Sequence, residues 1–353
     1  MNNNDVVLFI ENSFLSPLLL QEDVTDISYN GEFLYFVSNI NGRQKSDIAV
    51  EESVVRDFIR QISNLCEKQF SYSCPVLDVS FGKYRLNAVH QSIGKINNEE
   101  VITFSLRIAS THPKINDDSD FLNKKLVSLF NVLIKSRTSI LIAGLTGSGK
   151  TEFQKYLIRK INNNSRVIVI DNVSELEASR DNNNVDLTFW RSDNRNEYTT
   201  IPFLIKNALR CNPDWLIVAE SRGEEMQDVL NSALTGTPII STFHSLDVFS
   251  MPNRALSMIM MNDKRRSQEE ILNDLSYHIR FYIYLDKSED KNGNINRHIK
   301  SIGELNKDGE MHLIYDFENN KEKYGKISQN TVNLLKYDST DSLFIKTFIG
   351  DKK

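Results

Sequence analysis

The sequence predicts an α/β protein: a mainly parallel sheet with helices on both faces and a small antiparallel addition, preceded by a smaller α+β domain. Three observations carry this. From Phe121 onward, helical patterns alternate with short, continuous apolar runs at Ser139–Ala143, Val167–Ile170, Trp215–Ala219 and Ile239–Phe243, as strands covered on both faces require. Before that point, apolar and polar positions alternate around a single stretch of helical spacing, the pattern of half-buried strands with one helix. Between the two, Ser110–Ser119 is polar and contains Pro113, which suits a connection better than an element interior. The expected divisions are an α+β domain over 1–110, a linker over 111–120 and the larger domain over 121–353.

In chain order, Val24–Ile40 alternates around Asn30-Gly31 and reads as a β-hairpin with a two-residue turn. Residues 50–67 place Val54, Phe58, Ile62 and Leu65 at near-helical spacing. Strands are expected at Leu77–Val79, Tyr84–Val89 and Val101–Ile108. In the larger domain, each of the four apolar runs ends at a residue able to do chemistry: the loop at Gly144, then Asp171, Glu220 and His244. Ligands of open α/β sheets bind at the carboxyl ends of strands, so these four groups are expected to converge. Ile279–Leu285, His298–Glu304 and His312–Phe317 read as the antiparallel addition, and Thr331–Lys336 as a short helix.

Composition bounds the rest. A chain of 353 residues suits about two domains, and 40% hydrophobic with 25% charged residues is ordinary for a folded protein. With 47 acids against 42 bases, the net charge of -5 lacks the global positive field that drives tight binding to nucleic-acid backbones; no strong nucleic-acid binding is expected. Cys66, Cys74 and Cys211 form no C-x-x-C pair, so neither a disulfide framework nor a zinc site is supported. The apolar run at Val6–Ile10, like Leu18–Leu20, is strand-sized, too short for a signal sequence or a membrane span. A cytoplasmic protein with at most peripheral membrane contact is expected.

Gly144-Leu145-Thr146-Gly147-Ser148-Gly149-Lys150-Thr151 matches G-x-x-x-x-G-K-[ST] between a predicted strand and a predicted helix over Glu152–Ile161. Glycines let backbone N–H groups curl around phosphates, the helix N-terminus adds a favourable dipole, Lys150 can reach the β- and γ-phosphates, and Thr151 offers a hydroxyl to Mg²⁺. The bare alternative is a glycine-rich strand-to-helix turn. Glu220 is placed to polarise an attacking water and to influence Mg²⁺; it could instead cap a helix or pair with Arg222. Asp171 and Glu175 could hold water or metal, or be solvated loop acids. His244 could sense the γ-phosphate or bridge to Glu220, or be a structural hydrogen-bonder. Arg85 and Arg107, on first-domain strands, could reach a nucleotide or form surface ion pairs.

The whole constellation resembles the secretion ATPases of type II and type IV systems, a family that includes conjugation ATPases of the VirB type and pilus motors. GLTGSGKT resembles its Walker A motif, VIVIDNVSELE its Asp box, ALRCNPDWLIVAESRGEE its Walker B with the Glu-x-Arg-Gly-x-Glu signature, and LTGTPIISTFHS its His box. The resemblance covers roughly residues 70–305, including RHIKSIGEL near its end. It implies a RecA-like domain in a homohexameric ring, turning over ATP with Mg²⁺ at the cytoplasmic face of a membrane machine and engaging inner-membrane or platform components. It also implies phosphate and metal roles for Lys150 and Thr151, a catalytic carboxylate at Glu220, Asp-box acids at Asp171 and Glu175, the second His-box histidine at His244, and phosphate-facing arginines at Arg85 and Arg107. Two positions depart from the family pattern: Asn172 replaces a second acid, and Thr237 the first histidine. The chain cannot build the four-cysteine zinc insertion of the type II branch. That disfavours the type II branch, and the total length with the compact end after residue 305 leans toward the VirB-like or tight-adherence types. A type IV secretion or conjugation motor is expected, with a type IV or tight-adherence pilus motor and a nucleotide-gated scaffold as alternatives; a DNA translocase is disfavoured by the acidic balance. In each ATP-driven reading, a glycine-cradled triphosphate faces an acidic side chain across adjacent parallel strands.

Overall fold

The computed structural model describes residues 3–109, 114–173, 175–179, 186–193, 196–262, 265–289 and 295–350. The chain divides into two units, Met1–Thr111 with Ser288–Asn296, and His112–Lys287 with Arg297–Lys353. The short segment 288–296, read from sequence as part of the larger domain, thus clusters with the first unit.

The first unit contains α1 (Asn3–Glu11), α2 (Ser16–Leu19), β1 (Val24–Tyr29), β2 (Leu34–Ser38), β3 (Gly42–Lys45), α3 (Glu52–Leu65), β4 (Val76–Phe81), β5 (Tyr84–Val89), the small pair β6 (Lys95–Ile96) and β7 (Glu99–Glu100), and β8 (Thr103–Ile108). Among the described residues, six strands form an antiparallel sheet in the order β3-β2-β1-β8-β5-β4. Its inner face, with Ile27, Leu86 and Leu106, packs on Val55, Phe58, Ile59 and Ile62 of α3. The helix is where the spacing places it, but its buried stripe runs through Val55 and Ile59, and Val54 is exposed.

Two local expectations are corrected. Val6–Ile10 is helical: Val6 and Ile10, one turn apart, are buried while Leu8 faces solvent. The β1–β2 connection is the four-residue loop Asn30–Phe33 rather than a two-residue turn. The Asn30 side-chain oxygen accepts from the amides of Glu32 and Phe33 at 3.0 and 2.7 Å, so asparagine's side chain builds a wider turn than its backbone alone would.

The second unit contains α4 (Lys124–Lys135), β9 (Ile140–Gly144), α5 (Lys150–Arg159), β10 (Arg166–Asp171), β11 (Asp186–Arg191), α6 (Ile201–Arg210), β12 (Trp215–Val218), α7 (Glu225–Leu234), β13 (Ile239–Phe243), α8 (Met251–Ile259), α9 (Gln268–His278), β14 (Phe281–Glu289), β15 (Ile295–Leu305), β16 (Met311–Glu318), β17 (Lys321–Tyr324) and the short α10 (Gln329–Val332). Among the described residues its sheet has the order β11-β10-β12-β13-β9-β14-β15-β16-β17. The strands from β11 to β14 run parallel, and β15, β16 and β17 pair antiparallel. Within each apolar run, alternate residues serve opposite faces: Ile140, Ile142 and Ile217 join a core with α4 and α5, and Leu141, Ala143 and Val218 a core with α6 to α9.

Ile279–Leu285 was expected in the antiparallel addition; the strand there, β14, instead lies parallel beside β9. Phe281, Ile283 and Leu285 enter one core and Tyr282 and Tyr284 the other, so the run has both faces covered like its neighbours. The segment expected to be linker is anchored from Lys114 onward: Ile115 is buried, and Asp117 accepts from the Tyr156 hydroxyl at 2.8 Å and from Lys160 at 2.5 Å. Of the helix expected at Thr331–Lys336, only Thr331 and Val332 are helical: α10 starts earlier, at Gln329, capped by the Ser328 hydroxyl, and ends at Val332.

Candidate active site

The glycine loop leaves β9 at Gly144 and enters α5 at Lys150. A Cβ at Gly144 would stand 2.3 Å from the Leu285 carbonyl oxygen and 2.5 Å from Ser148 Oγ, so only glycine fits between β14 and the loop. Gly147 and Gly149 have φ of +78° and +97°, left-handed conformations open to glycine at little steric cost. Ser148 N–H closes the turn onto the Leu145 carbonyl at 3.2 Å. Lys150 Nζ folds back over the loop, donating to the carbonyls of Gly144 at 2.8 Å and Leu145 at 3.1 Å.

Glu220 and the loop do not meet across adjacent strands, because β13 lies between β12 and β9. His244, just beyond β13, spans the gap. Its Nδ1 is 3.1 Å from the Gly144 carbonyl and 3.4 Å from Lys150 Nζ, and its Nε2 is 3.1 Å from Glu220 Oε1. Arg222 donates to Glu220 Oε2 from Nε at 3.0 Å and Nη2 at 2.7 Å. Glu220 therefore has both the ion pair with Arg222, expected as the alternative to its catalytic reading, and the bridge expected of His244. Desolvation, the largest influence on its carboxyl, pushes the pKa up; hydrogen bonding and charge from Arg222, with the charges of His244 and Lys150, outweigh it and hold Glu220 below its ordinary value. The result is an ionised carboxylate, 20% exposed, at the end of a chain of polar contacts from the loop.

The remaining candidates are placed by their own elements. Asp171, expected to hold water or metal, is buried at the end of β10, and its two oxygens accept from the amides of Val173 at 2.9 Å and Leu176 at 3.0 Å. A carboxylate with 3% exposure needs such donors, and here it fastens the loop that carries Glu175. Arg85 and Arg107 stand opposite one another on β5 and β8 in the first unit, and Arg85 pairs with Asp78 at 3.2 Å. Thr151 occupies the first turn of α5 beside Lys150.

Two residues at the site escape sequence reasoning. Gln154, fully buried in α5, donates to the Val218 carbonyl at 3.0 Å and the Ile240 carbonyl at 3.3 Å, clamping β12 and β13 together behind Glu220. Arg297 at the start of β15 donates from Nε to the Gly147 carbonyl at 2.8 Å. Gln154 is a polar residue in an otherwise apolar helix face, next to Phe153 and ahead of Leu157; Arg297 opens the RHIKSIGEL segment of the resemblance, but nothing in the sequence pairs it with a carbonyl 150 residues away.

A profile of the family described as Type II/IV secretion system protein matches residues 98–280, more than half of the chain. The chain belongs to this family. The matched residues take in the glycine loop, Asp171, Glu220 and His244. Among its relatives, the chain is similar to an uncharacterized protein of Bacillus anthracis, 27% identical over 88% of this chain and 71% of that one. It is also similar to the type IV secretion system protein VirB11 of Brucella suis, 34% identical over 39% of each chain. The fold is shared with the ATPase DotB of Legionella pneumophila, with a TM-score of 0.61 at 19% identity over 82% of this chain and 79% of that one. Among the described residues, no helix is long and apolar enough to cross a membrane.

Proposed function

We propose that this protein is a Mg²⁺-dependent ATP hydrolase that works as a hexameric ring at the cytoplasmic face of a membrane and powers a type IV secretion or conjugation-type apparatus. The observation that carries this reading is the continuous line of polar contacts Gly144–Lys150–His244–Glu220, which brings a carboxylate to a phosphate-type loop. The similarity to VirB11 supports the secretion assignment.

In this reading the loop amides and Lys150 take the β- and γ-phosphates, for which Lys150 exchanges its carbonyl partners. Glu220, kept ionised by Arg222, orients the attacking water and draws off its proton. His244 stands between that carboxylate and the loop, where it can register whether the terminal phosphate is attached. Thr151 and Glu220 are oxygen donors of the hard type that Mg²⁺ takes, few in number as its sites usually are. When bound, the ion would neutralise charge developing on the phosphate oxygens.

A second reading, a nucleotide-gated scaffold with little hydrolysis, is favoured by one feature: the Asp171 carboxylate is taken up by backbone amides, and the next residue is Asn172. Steady-state hydrolysis separates the two. Replacing Glu220 with Gln is expected to lower turnover on the order of 10²- to 10⁴-fold with nucleotide affinity retained. Wild-type protein that binds ATP without turning it over would establish the scaffold, and full activity in the Gln variant would remove Glu220 from the chemistry.

A further inference from the structure

Arg297 reaches the glycine loop at the Gly147 carbonyl, a different carbonyl from the two that Lys150 holds. Its Cδ lies 3.8 Å from where a Cβ on Gly149 would stand, and Lys287 Nζ lies 3.4 Å from the corresponding point on Gly147. Two cations, from the end of β14 and the start of β15, therefore flank Gly147 and Gly149, two of the loop glycines of positive φ. Burial pushes the Arg297 guanidinium below its ordinary pKa, yet arginine stays charged at any physiological pH.

The Gly147–Ser148 peptide links this contact to phosphate recognition. In a trans peptide the carbonyl and the following N–H point in opposite directions. Fastening the Gly147 carbonyl to Arg297 thus sets the Ser148 N–H toward the turn interior, where it meets the Leu145 carbonyl at 3.2 Å. Glycines lose the most conformational freedom when ordered. A loop held in shape before an anion arrives avoids that cost on binding.

We propose that Arg297 is a positioning residue that presets the glycine loop for phosphate by fixing the Gly147–Ser148 peptide, with Lys287 adding positive potential. This rests on the nucleotide-binding reading above and deepens it. Arg297 need not touch the ligand to act.

Calorimetric titration of the full chain with ADP, alongside hydrogen exchange of the ligand-free protein, tests the proposal. Arg297→Met is expected to weaken ADP binding about tenfold or more and to accelerate exchange at the Ser148 and Gly149 amides, with the β9 amides Leu141–Ala143 unchanged. Arg297→Lys keeps the charge without the planar fork and should restore only part of the affinity. ADP affinity within twofold of wild type in the Met variant, or full affinity in the Lys variant with the loop amides still exchanging fast, would overturn the brace. Should the Met variant fail to melt cooperatively, the Lys variant decides alone: wild-type affinity and wild-type loop exchange sink the proposal. If wild-type protein itself binds no ADP while Lys150→Ala is equally inert, the nucleotide reading has failed instead, and loop exchange in the Arg297 variants still decides whether the brace exists.

Discussion

His244 gains its importance from sheet order. A carboxylate on β12 and a loop on β9 are separated by β13, and a side chain projecting from the end of β13 is what closes the distance. The four strand-end groups were readable in the sequence because each follows an apolar run, but strand order is not written in the run itself, so the bridging role fell to a residue that could equally be a structural hydrogen-bonder. Lys150 is the residue whose removal reports most directly on the loop. Its ammonium sits 2.8 Å from the Gly144 carbonyl and 3.4 Å from His244, so Lys150→Ala takes away both the phosphate's cation and one of the charges that keeps Glu220 ionised. Tight ATP binding is expected to be lost in that variant, measured by equilibrium titration, while the thermal transition moves little because Lys150 is only half-buried and the apolar face of α5 is untouched. Asp171 illustrates the opposite outcome. An acid after a strand reads the same whether it faces solvent or caps a turn, and only the positions of the Val173 and Leu176 amides distinguish the two.

Elements were legible in proportion to how far their burial was two-sided. The runs that became β9, β10, β12 and β13 were found within a residue or two, whereas β11 was missed: Asp186–Arg191 pairs only with β10 at the sheet edge and is largely half-exposed, so its polar composition resembles a loop. β14 reads as a strand from its apolar run, but its parallel place beside β9 is not legible there, since direction of pairing depends on the helix that precedes it rather than on the strand's own residues. The join of β9 to β14 gives an element-scale prediction. Gly144→Ala drives a Cβ into the Leu285 carbonyl at 2.3 Å, a backbone atom that cannot rotate away, so the variant should lose about 1–3 kcal/mol or more of stability by denaturant titration. The α6–α7 pair gives another. Asp228 in α7 is 8% exposed, and burial, the leading cause, pushes its carboxyl above the ordinary value; Lys206 at 3.5 Å counteracts this and Glu224 adds to it. The folded state thus holds that proton more tightly than the unfolded chain, so the contribution of Asp228 to folding stability is most favourable below the ordinary carboxyl range and falls as pH rises through the raised value. Asp228→Asn should melt higher than wild type at pH 7, with the difference closing as the solution approaches pH 4.

For the whole molecule, the family assignment and the proposed ring make a simple demand: light scattering of the nucleotide-loaded protein should give six times the 40.6 kDa chain mass, and a stable monomer under those conditions would leave the motor reading without its assembly. The α/β layering of the second unit was foreseeable because its apolar runs repeat with helices between them. The itinerary of the chain was not. Residues 288–296 look like any polar hairpin tip, yet they cluster with the first unit; Ile295 donates its amide to the Ile40 carbonyl at 3.1 Å and packs near Gly42. Protein engineers who cut this chain at residue 111 would therefore separate that excursion from the surface it rests on, and a fragment beginning at His112 would carry an orphaned apolar isoleucine on a free arm. Dissection should keep both polypeptide passages together, for instance by nicking between the units while leaving each partner present during refolding.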